Sequence, residues 1–302
     1  MRVSILVPIY GVEQYIERCA VSLMEQTYDD VEYIFVNDCT PDRSMELLQS
    51  VADRYPQRRE QIHLIHHEHN KGIGAGRLTL LQAAQGDAVM FVDSDDYVPQ
   101  QAVELMVSAM EATRADIVEG AYQSETERGR GAVVLPYHGD HDTYLRLLLC
   151  QNIVRNQVWG RLYRRSLFAE QQVFPVEGID YCEDYHLLAR LYLRSTRAYI
   201  DDVVYYYNQA NESSYTHHIS GKNLRSFQRA NEDVAAFYQH YDVAGDYRTA
   251  LRIGLLNVKR TLRQNGLQHG ALPAFLLSLW YRLCKRVYAS YLTRSQDVKQ
   301  QP

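Results

Sequence analysis

The sequence contains no unbroken apolar run approaching the ~18 uncharged residues that a membrane-crossing helix needs, so no spanning segment is expected. It has only five cysteines in 302 residues, an odd number, widely spaced and without a CxxC pair. That spacing argues against a disulfide framework. Cys19, Cys39, Cys150, Cys182 and Cys284 read as reduced packing residues of a cytosolic protein. The apolar start Val3–Val7 stops at Pro8, too short for the core of a secretory signal, and none is expected. Surplus basic charge is also missing. Lys and Arg number 32 against 37 Asp and Glu, which excludes a generally basic nucleic-acid binder.

What is present is ordinary globular material, 46% hydrophobic and 23% charged. The charge is uneven. Residues 1–100 carry 16 acidic and 8 basic side chains, whereas residues 271–302 carry five basic and one acidic. An acidic front that handles phosphates needs a cation, and a basic tail suits an anionic surface.

Short apolar runs at Val3–Val7, Val31–Val36, Ile62–Ile65 and Ala88–Val92, with a weaker one at Ala115–Glu119, predict buried strands. Helical periodicity fills the gaps at Glu13–Gln26, Arg43–Tyr55, Gly74–Gln85 and Pro99–Thr113, with Pro99 at a first-turn position. Such alternation predicts a parallel sheet covered on both faces. Beyond residue 120 the rhythm changes. Ser124–Gly131 reads as a polar loop, Asp142–Gln151 and Glu183–Arg194 as helices, Ala198–Tyr207 as a strand, and the chain from Gly221 onward as helical.

In a doubly wound sheet, ligands bind beyond the carboxyl ends of the strands. Four strand ends here carry distinctive residues: Pro8-Ile9-Tyr10-Gly11, Asn37-Asp38-Cys39-Thr40-Pro41-Asp42, Asn70-Lys71-Gly72 running on to Arg77, and Asp93-Ser94-Asp95-Asp96. Asp93 and Asp95 stand two apart, and in extended chain that spacing turns both carboxylates the same way. Carboxylate oxygens suit Mg²⁺ or Mn²⁺, ions that bind substrate phosphates and would clamp a diphosphate leaving group. Alone, Asp-x-Asp-Asp is more often a solvated turn. Its place after Val89–Val92, in company with the other strand ends, favours the metal. Gly72, Gly74 and Gly76 approach a dinucleotide fingerprint but lack its GxGxxG spacing and its position after the first strand. They read as a tight turn against a nucleotide base, with Arg77 reaching acidic groups or phosphate. His63, His66, His67 and His69 have no ligand spacing and read as surface or half-buried residues. Glu183 and Asp184 open a helix, where acidic residues offset the dipole. Asp184 would also serve as a general base if the fold carries it to the metal.

Together and in order, these motifs resemble the inverting nucleotide-sugar glycosyltransferases of family 2. The resemblance is carried by Val7-Pro8-Ile9-Tyr10, Val36-Asn37-Asp38, Asn70-Lys71-Gly72, Val92-Asp93-Ser94-Asp95-Asp96 and Glu183-Asp184. Trp159–Phe168 is similar to the segment that precedes the acceptor side in many members. The resemblance implies an α/β, Rossmann-like GT-A fold with a mostly parallel central sheet. It implies a domain at 1–215, with a nucleotide-binding half at 1–120 and an acceptor-binding half at 121–215, and a C-terminal helical region at 216–302. On this resemblance Asp38 contacts the nucleobase, usually uracil, near Pro8 and Tyr10, and Asn70, Gly72, Arg77 and Ser94 complete the donor site. Asp93 lies near ribose and metal, Asp95 binds Mg²⁺ or Mn²⁺ and through it the diphosphate, and Asp184 takes a proton from the acceptor hydroxyl. Trp159, Arg161 and Glu183 fall on the acceptor side, Trp159 either as a platform for a sugar ring or as a core residue. Three departures stand out. Asn37-Asp38-Cys39-Thr40 replaces a paired Asp followed by Gly-Ser, which leaves the base preference open. Gly76-Arg77-Leu78 lacks the Asn of the usual Ala-Arg-Asn. No QxxRW marks a processive synthase, so one sugar per encounter is expected.

The implied activity is metal-dependent transfer from a nucleotide sugar, a UDP-sugar first, to a glycan or lipid-linked hydroxyl in cell-envelope or capsular polysaccharide synthesis. Two rivals differ in class. A sugar-nucleotide-forming nucleotidyltransferase would place a glycine-rich basic loop where Pro8–Gly11 stands. A non-catalytic nucleotide- or glycan-binding relative would not need Asp95 and Asp184. In the tail, residues 271–294 align Leu276, Leu279, Leu283 and Val287 beside Arg282, Lys285 and Arg286. That pattern suits an interfacial helix at the inner face of the plasma membrane, or a helix docked on the protein's own core or on a second subunit of a homo-oligomer.

Overall fold

A computed structural model of the chain describes residues 1–151, 153–211, 220–241, 243, 245–267 and 272–299, with side chains of the last helix described as far as residue 292. In chain order the elements are β1 (Val3–Ile9), α1 (Ile16–Met24), β2 (Val31–Asn37), α2 (Ser44–Arg54), β3 (Ile62–His66), α3 (Ile73–Ala83), β4 (Ala88–Phe91), α4 (Ala102–Thr113) and β5 (Ile117–Thr126). There follow β6 (Gly129–Val134), α5 (His141–Leu149), β7 (Arg161–Arg164), α6 (Ser166–Gln171), α7 (Glu183–Leu191), β8 (Arg197–Asn208), α8 (Gly221–His240), α9 (Gly245–Gln264) and α10 (Ala274–Lys299).

The sheet runs β3-β2-β1-β4-β7-β5-β6, with β8 paired to β5. β3, β2, β1 and β4 are parallel neighbours, so the loops that follow them leave the same edge. β1 and β4 are buried along their whole length, as strands with helices on both faces must be. Order reverses between β1 and β4, the switch point at which such sheets open a ligand crevice. This is the α/β fold that the alternation predicted, and the helices from Gly221 onward complete it.

Two local expectations need correction, and one strand was not foreseen. Ser124–Gly131 is not a loop: β5 runs on to Thr126, turns through two residues, and pairs back through β6 in register Thr126↔Gly129. The hairpin is polar because it is an exposed sheet edge, where composition resembles a loop. β7 inserts antiparallel between β4 and β5, although nothing in its short sequence marks it as a strand. Pro99 lies ahead of α4, its carbonyl accepting from the first helical amide, Ala102 N, at 3.0 Å.

The chain forms two compact units. The first takes Met1–Pro136, Gln157–Asp180 and Arg194–Ile219, and the second takes Tyr137–Asn156, Tyr181–Leu193 and Ser220–Pro302. The boundary that the sequence suggested near residue 216 lies outside the described residues, and the stretch 121–215 is shared between the units. In the second unit α9 crosses close to the end of α5. A Cβ on Gly254 would lie 2.3 Å from the Leu149 carbonyl oxygen, so only glycine permits the approach. The side-chain amides of Gln151, Asn231 and Asn257 bond in series beneath that crossing.

Two residues assigned to the acceptor side belong to the core of the first unit. Trp159 is 3% exposed. It stacks on Tyr205 at 4.4 Å and 8° and on Tyr207 at 5.3 Å, with Tyr122 edge-on. No ring face is left for a sugar. Arg161 is fully buried and pairs with Glu119 at 3.2 Å, with Arg197 a further 3.7 Å from the same carboxylate. Removing one member of such a pair leaves a buried charge and costs about 3–5 kcal/mol. Arg161→Ala is therefore expected to lower unfolding free energy by that amount in urea titration. An unchanged midpoint would return Arg161 to the surface role.

Candidate active site

The loops after β1 and β2 hold one another. Thr40 Oγ1 accepts from Gly11 N at 2.8 Å, and Asp42 Oδ2 accepts from Glu13 N at 2.9 Å. Asp42 also receives the hydroxyls of Thr40 and Ser44. Burial opposes its charge, but these bonds hold its carboxyl below the usual range. Pro8 is buried in β1, while Tyr10 at its end is 52% exposed.

Asp38 directly follows β2 and is only 5% exposed. Its Oδ1 receives Lys71 N at 2.8 Å and lies 2.7 Å from His67 Nδ1; its Oδ2 receives Gly72 N at 2.8 Å. The carboxylate assigned to a nucleobase is thus the joint between the loops after β2 and β3. His67, read as one of four unremarkable histidines, is part of that joint and also bonds Thr79 at 3.0 Å. Asp180 serves the same helix end, accepting from Gly74 N at 3.3 Å. Two carboxylates thereby meet the positive end of α3. Gly72 has φ +90, and a Cβ there would lie 2.2 Å from Asp180 Oδ1. The glycines of this segment serve a close approach, as a tight turn requires. Asn70 and Lys71 remain exposed.

The acidic residues after β4 form a turn, closed by Asp96 N donating to the Asp93 carbonyl at 3.0 Å. Arg77, buried on α3, meets Asp93 through Nη2 and Oδ1 at 3.1 Å. β8 grips the turn from the other side. The Tyr205 hydroxyl accepts from Asp93 N at 3.0 Å and donates to Asp96 Oδ2 at 2.7 Å. Asn208 N donates to Asp96 Oδ1 at 2.7 Å, and Asn208 Nδ2 donates to the Asp95 carbonyl at 3.1 Å. Asn211 Nδ2 holds Asp95 Oδ2 at 2.8 Å. Ser94 is buried within the turn. Tyr205, Asn208 and Asn211 were not singled out in the sequence. The signal was there in a polar strand end, Tyr207-Asn208-Gln209-Ala210-Asn211, of the kind that marked the other four.

Among the described residues no three His, Cys, Asp or Glu side chains form a ready-made cage for a metal. A pair suffices for Mg²⁺ or Mn²⁺ bound together with substrate phosphates, since these ions keep waters and take one or two carboxylates. The donor chemistry fits. Burial and the charge of Asp93 push the Asp95 carboxyl above its ordinary value, a repulsion that a divalent cation would relieve. Asp184 and Glu183 belong to the second unit, half-buried on the first turn of α7 after Cys182 in the left-handed region at φ 72.

The Tyr205 hydroxyl joins two ends of the turn, and losing a buried hydrogen-bonded hydroxyl costs about 1–3 kcal/mol. Tyr205→Phe is expected to lower stability by that amount, measured by thermal melting, while the stack on Trp159 persists in near-ultraviolet circular dichroism. A melting temperature equal to wild type would show that the turn stands without it.

Residues 4–171 match the sequence profile of glycosyl transferase family 2. The glycosyltransferase EpsJ of Bacillus subtilis is 33% identical over 261 residues, covering 83% of this chain and 74% of that protein. The poly(ribitol-phosphate) beta-N-acetylglucosaminyltransferase TarS of Staphylococcus aureus is 25% identical over 219 residues, 71% of this chain and 37% of TarS. In structure, residues 1–349 of TarS with bound UDP-GlcNAc superpose at TM-score 0.68 and 19% identity, covering 99% of this chain and 93% of that one. A mannosyltransferase of Pyrobaculum calidifontis with GDP-Man and Mn²⁺ superposes at TM-score 0.60 and 16% identity, covering 99% and 88%. With its βα first half and its acidic turn after β4, this chain belongs to glycosyl transferase family 2 and is a glycosyltransferase.

Proposed function

We propose that the enzyme moves one sugar, with inversion, from a UDP-sugar to a hydroxyl of a cell-envelope glycan or lipid-linked acceptor. The acidic turn carries this reading. It places Asp93 and Asp95 at the carboxyl edge of the parallel sheet, beside a buried arginine, and pins both from behind through β8. Poly(ribitol-phosphate) transferases among the relatives support a polymeric, hydroxyl-bearing acceptor, and the UDP-GlcNAc complex of TarS supports a uridine donor.

The side chains divide the work by position. Tyr10, exposed at the end of β1, and Pro8 take the base side, with Asn70 and Gly72 across the loop. Asp38 keeps that loop in place. Arg77 and Asp93 stand toward ribose and phosphate. Asp95 and Asp93 would hold Mg²⁺ or Mn²⁺, which when bound would offset charge growing on the departing diphosphate. Asp184 accepts the proton of the acceptor hydroxyl as that oxygen attacks the anomeric carbon. One attack opposite the leaving group inverts the centre.

Titration calorimetry with a panel of nucleotide sugars, with and without Mn²⁺, tests the donor site. UDP-sugars are expected to bind only with the cation, and Asp95→Ala to lose that dependence together with binding. Donor binding that EDTA leaves unchanged would remove the metal. Asp184→Ala is expected to bind donor as wild type does and to lose transfer by about 10²–10⁴-fold, the range of a general base. Full transfer by that variant would assign the base elsewhere.

A further inference from the structure

α10 is apolar on two opposite sides. One side is packed within its own unit: Leu277, Tyr281, Tyr288 and Leu292 are buried, the Tyr281 hydroxyl donates to the Gln151 carbonyl at 2.9 Å, and that of Tyr288 donates to the Asp246 carbonyl at 2.7 Å. The other side carries Phe275, Leu279, Trp280, Leu283, Val287 and Tyr291, each 57–64% exposed. At 3.6 residues per turn these six span an arc of about 160°. A contiguous apolar surface of this kind on a folded protein marks an interaction site. Arg282 and Arg286 are exposed at one edge of the arc. No Asp or Glu occurs between residues 272 and 296.

We infer that this face docks on an anionic lipid bilayer. Charge decides between the two occupants that an apolar helix face can have. Against a second copy, Arg282 and Arg286 would meet a helix stretch with the same sign and no acid to answer it. Anionic headgroups supply the missing charge, worth about fivefold in affinity for each basic residue near the surface. Width points the same way. A two-helix seam uses a narrow stripe of two positions in seven, whereas a helix lying in an interface buries a broad face about 5–10 Å into the headgroup boundary. Trp280 and Tyr291 have the apolar body and polar tip favoured at that depth. The arginine stems extend along the apolar face and keep their guanidinium groups at headgroup level. The chain as a whole carries a net charge of −5, so attraction to an anionic surface depends on this local concentration of base. The inference is independent of the donor and acceptor proposed above.

The full chain can be tested against extruded vesicles of phosphatidylcholine alone and of phosphatidylcholine with phosphatidylglycerol at three to one. The chain is expected to co-sediment with the anionic vesicles at least ~10-fold more tightly than with the neutral ones, and to be released at about 1 M salt, where charges are screened within about 3 Å. Arg282→Glu with Arg286→Glu is expected to weaken binding by at least ~10-fold, and Leu283→Glu with Val287→Glu to abolish it. Because the sequence has only two tryptophans and Trp159 is buried, emission of the unmodified chain reports on Trp280. A blue shift is expected with anionic vesicles only. Absence of both sedimentation and shift with the unmodified chain would overturn the proposal. So would vesicle binding that neither double variant reduces. Light scattering that shows a dimer, dissociated by Leu283→Glu with Val287→Glu and indifferent to vesicles, would assign the face to a second copy.

Discussion

Asp96 is a carboxyl group with almost no access to water, and burial pushes it well above its usual range, helped by the charges of Asp95 and Asp93. A buried carboxyl that lost its partners would cost several kcal/mol. Its two oxygens are met by the Tyr205 hydroxyl and the Asn208 amide, so the turn after β4 and the end of β8 are held to each other. Asp95 and Asp93 inherit their places from that constraint. Neither is anchored by the strand that precedes it, since β4 stops at Phe91. Both carboxylates are therefore positioned with the help of one that is itself closed to water.

The same economy recurs at the glycine-rich turn. Asp38 and Asp180 neutralise the start of α3 from two sides, which leaves that helix end satisfied by the protein itself. Arg77 on the same helix is buried, and its neighbour Asp93 keeps that guanidinium tolerable. The carboxylates of the acidic front half are distributed among buried joints and ion pairs.

Much of this was legible from residue order. Strands with apolar residues on both faces have no other stable place than a covered parallel sheet, and the polar residues that end them stand out against those apolar runs. Hence the βα alternation, the acidic turn and the glycine turn were visible in advance. What was not legible shares one cause. Trp159, Arg161 and Asp38 were read by chemical type, and type does not reveal partners. Arg161 is neutralised by Glu119, Trp159 is enclosed by tyrosines from β5 and β8, and Asp38 is occupied by backbone amides of a loop more than thirty residues away. The β5–β6 hairpin was missed for the converse reason: an edge exposed to water has no apolar alternation to read.

The interleaving of the two units bears on how the protein comes into being. The polypeptide passes between them five times, so neither corresponds to a contiguous stretch that could be expressed as an independent fragment. On the ribosome, the first unit can assemble its first four strands early. Its acidic turn must wait for β8, more than a hundred residues later. Until then Asp96 lacks the Tyr205 and Asn208 partners that meet its two oxygens, and newly made chains hold an unfinished turn.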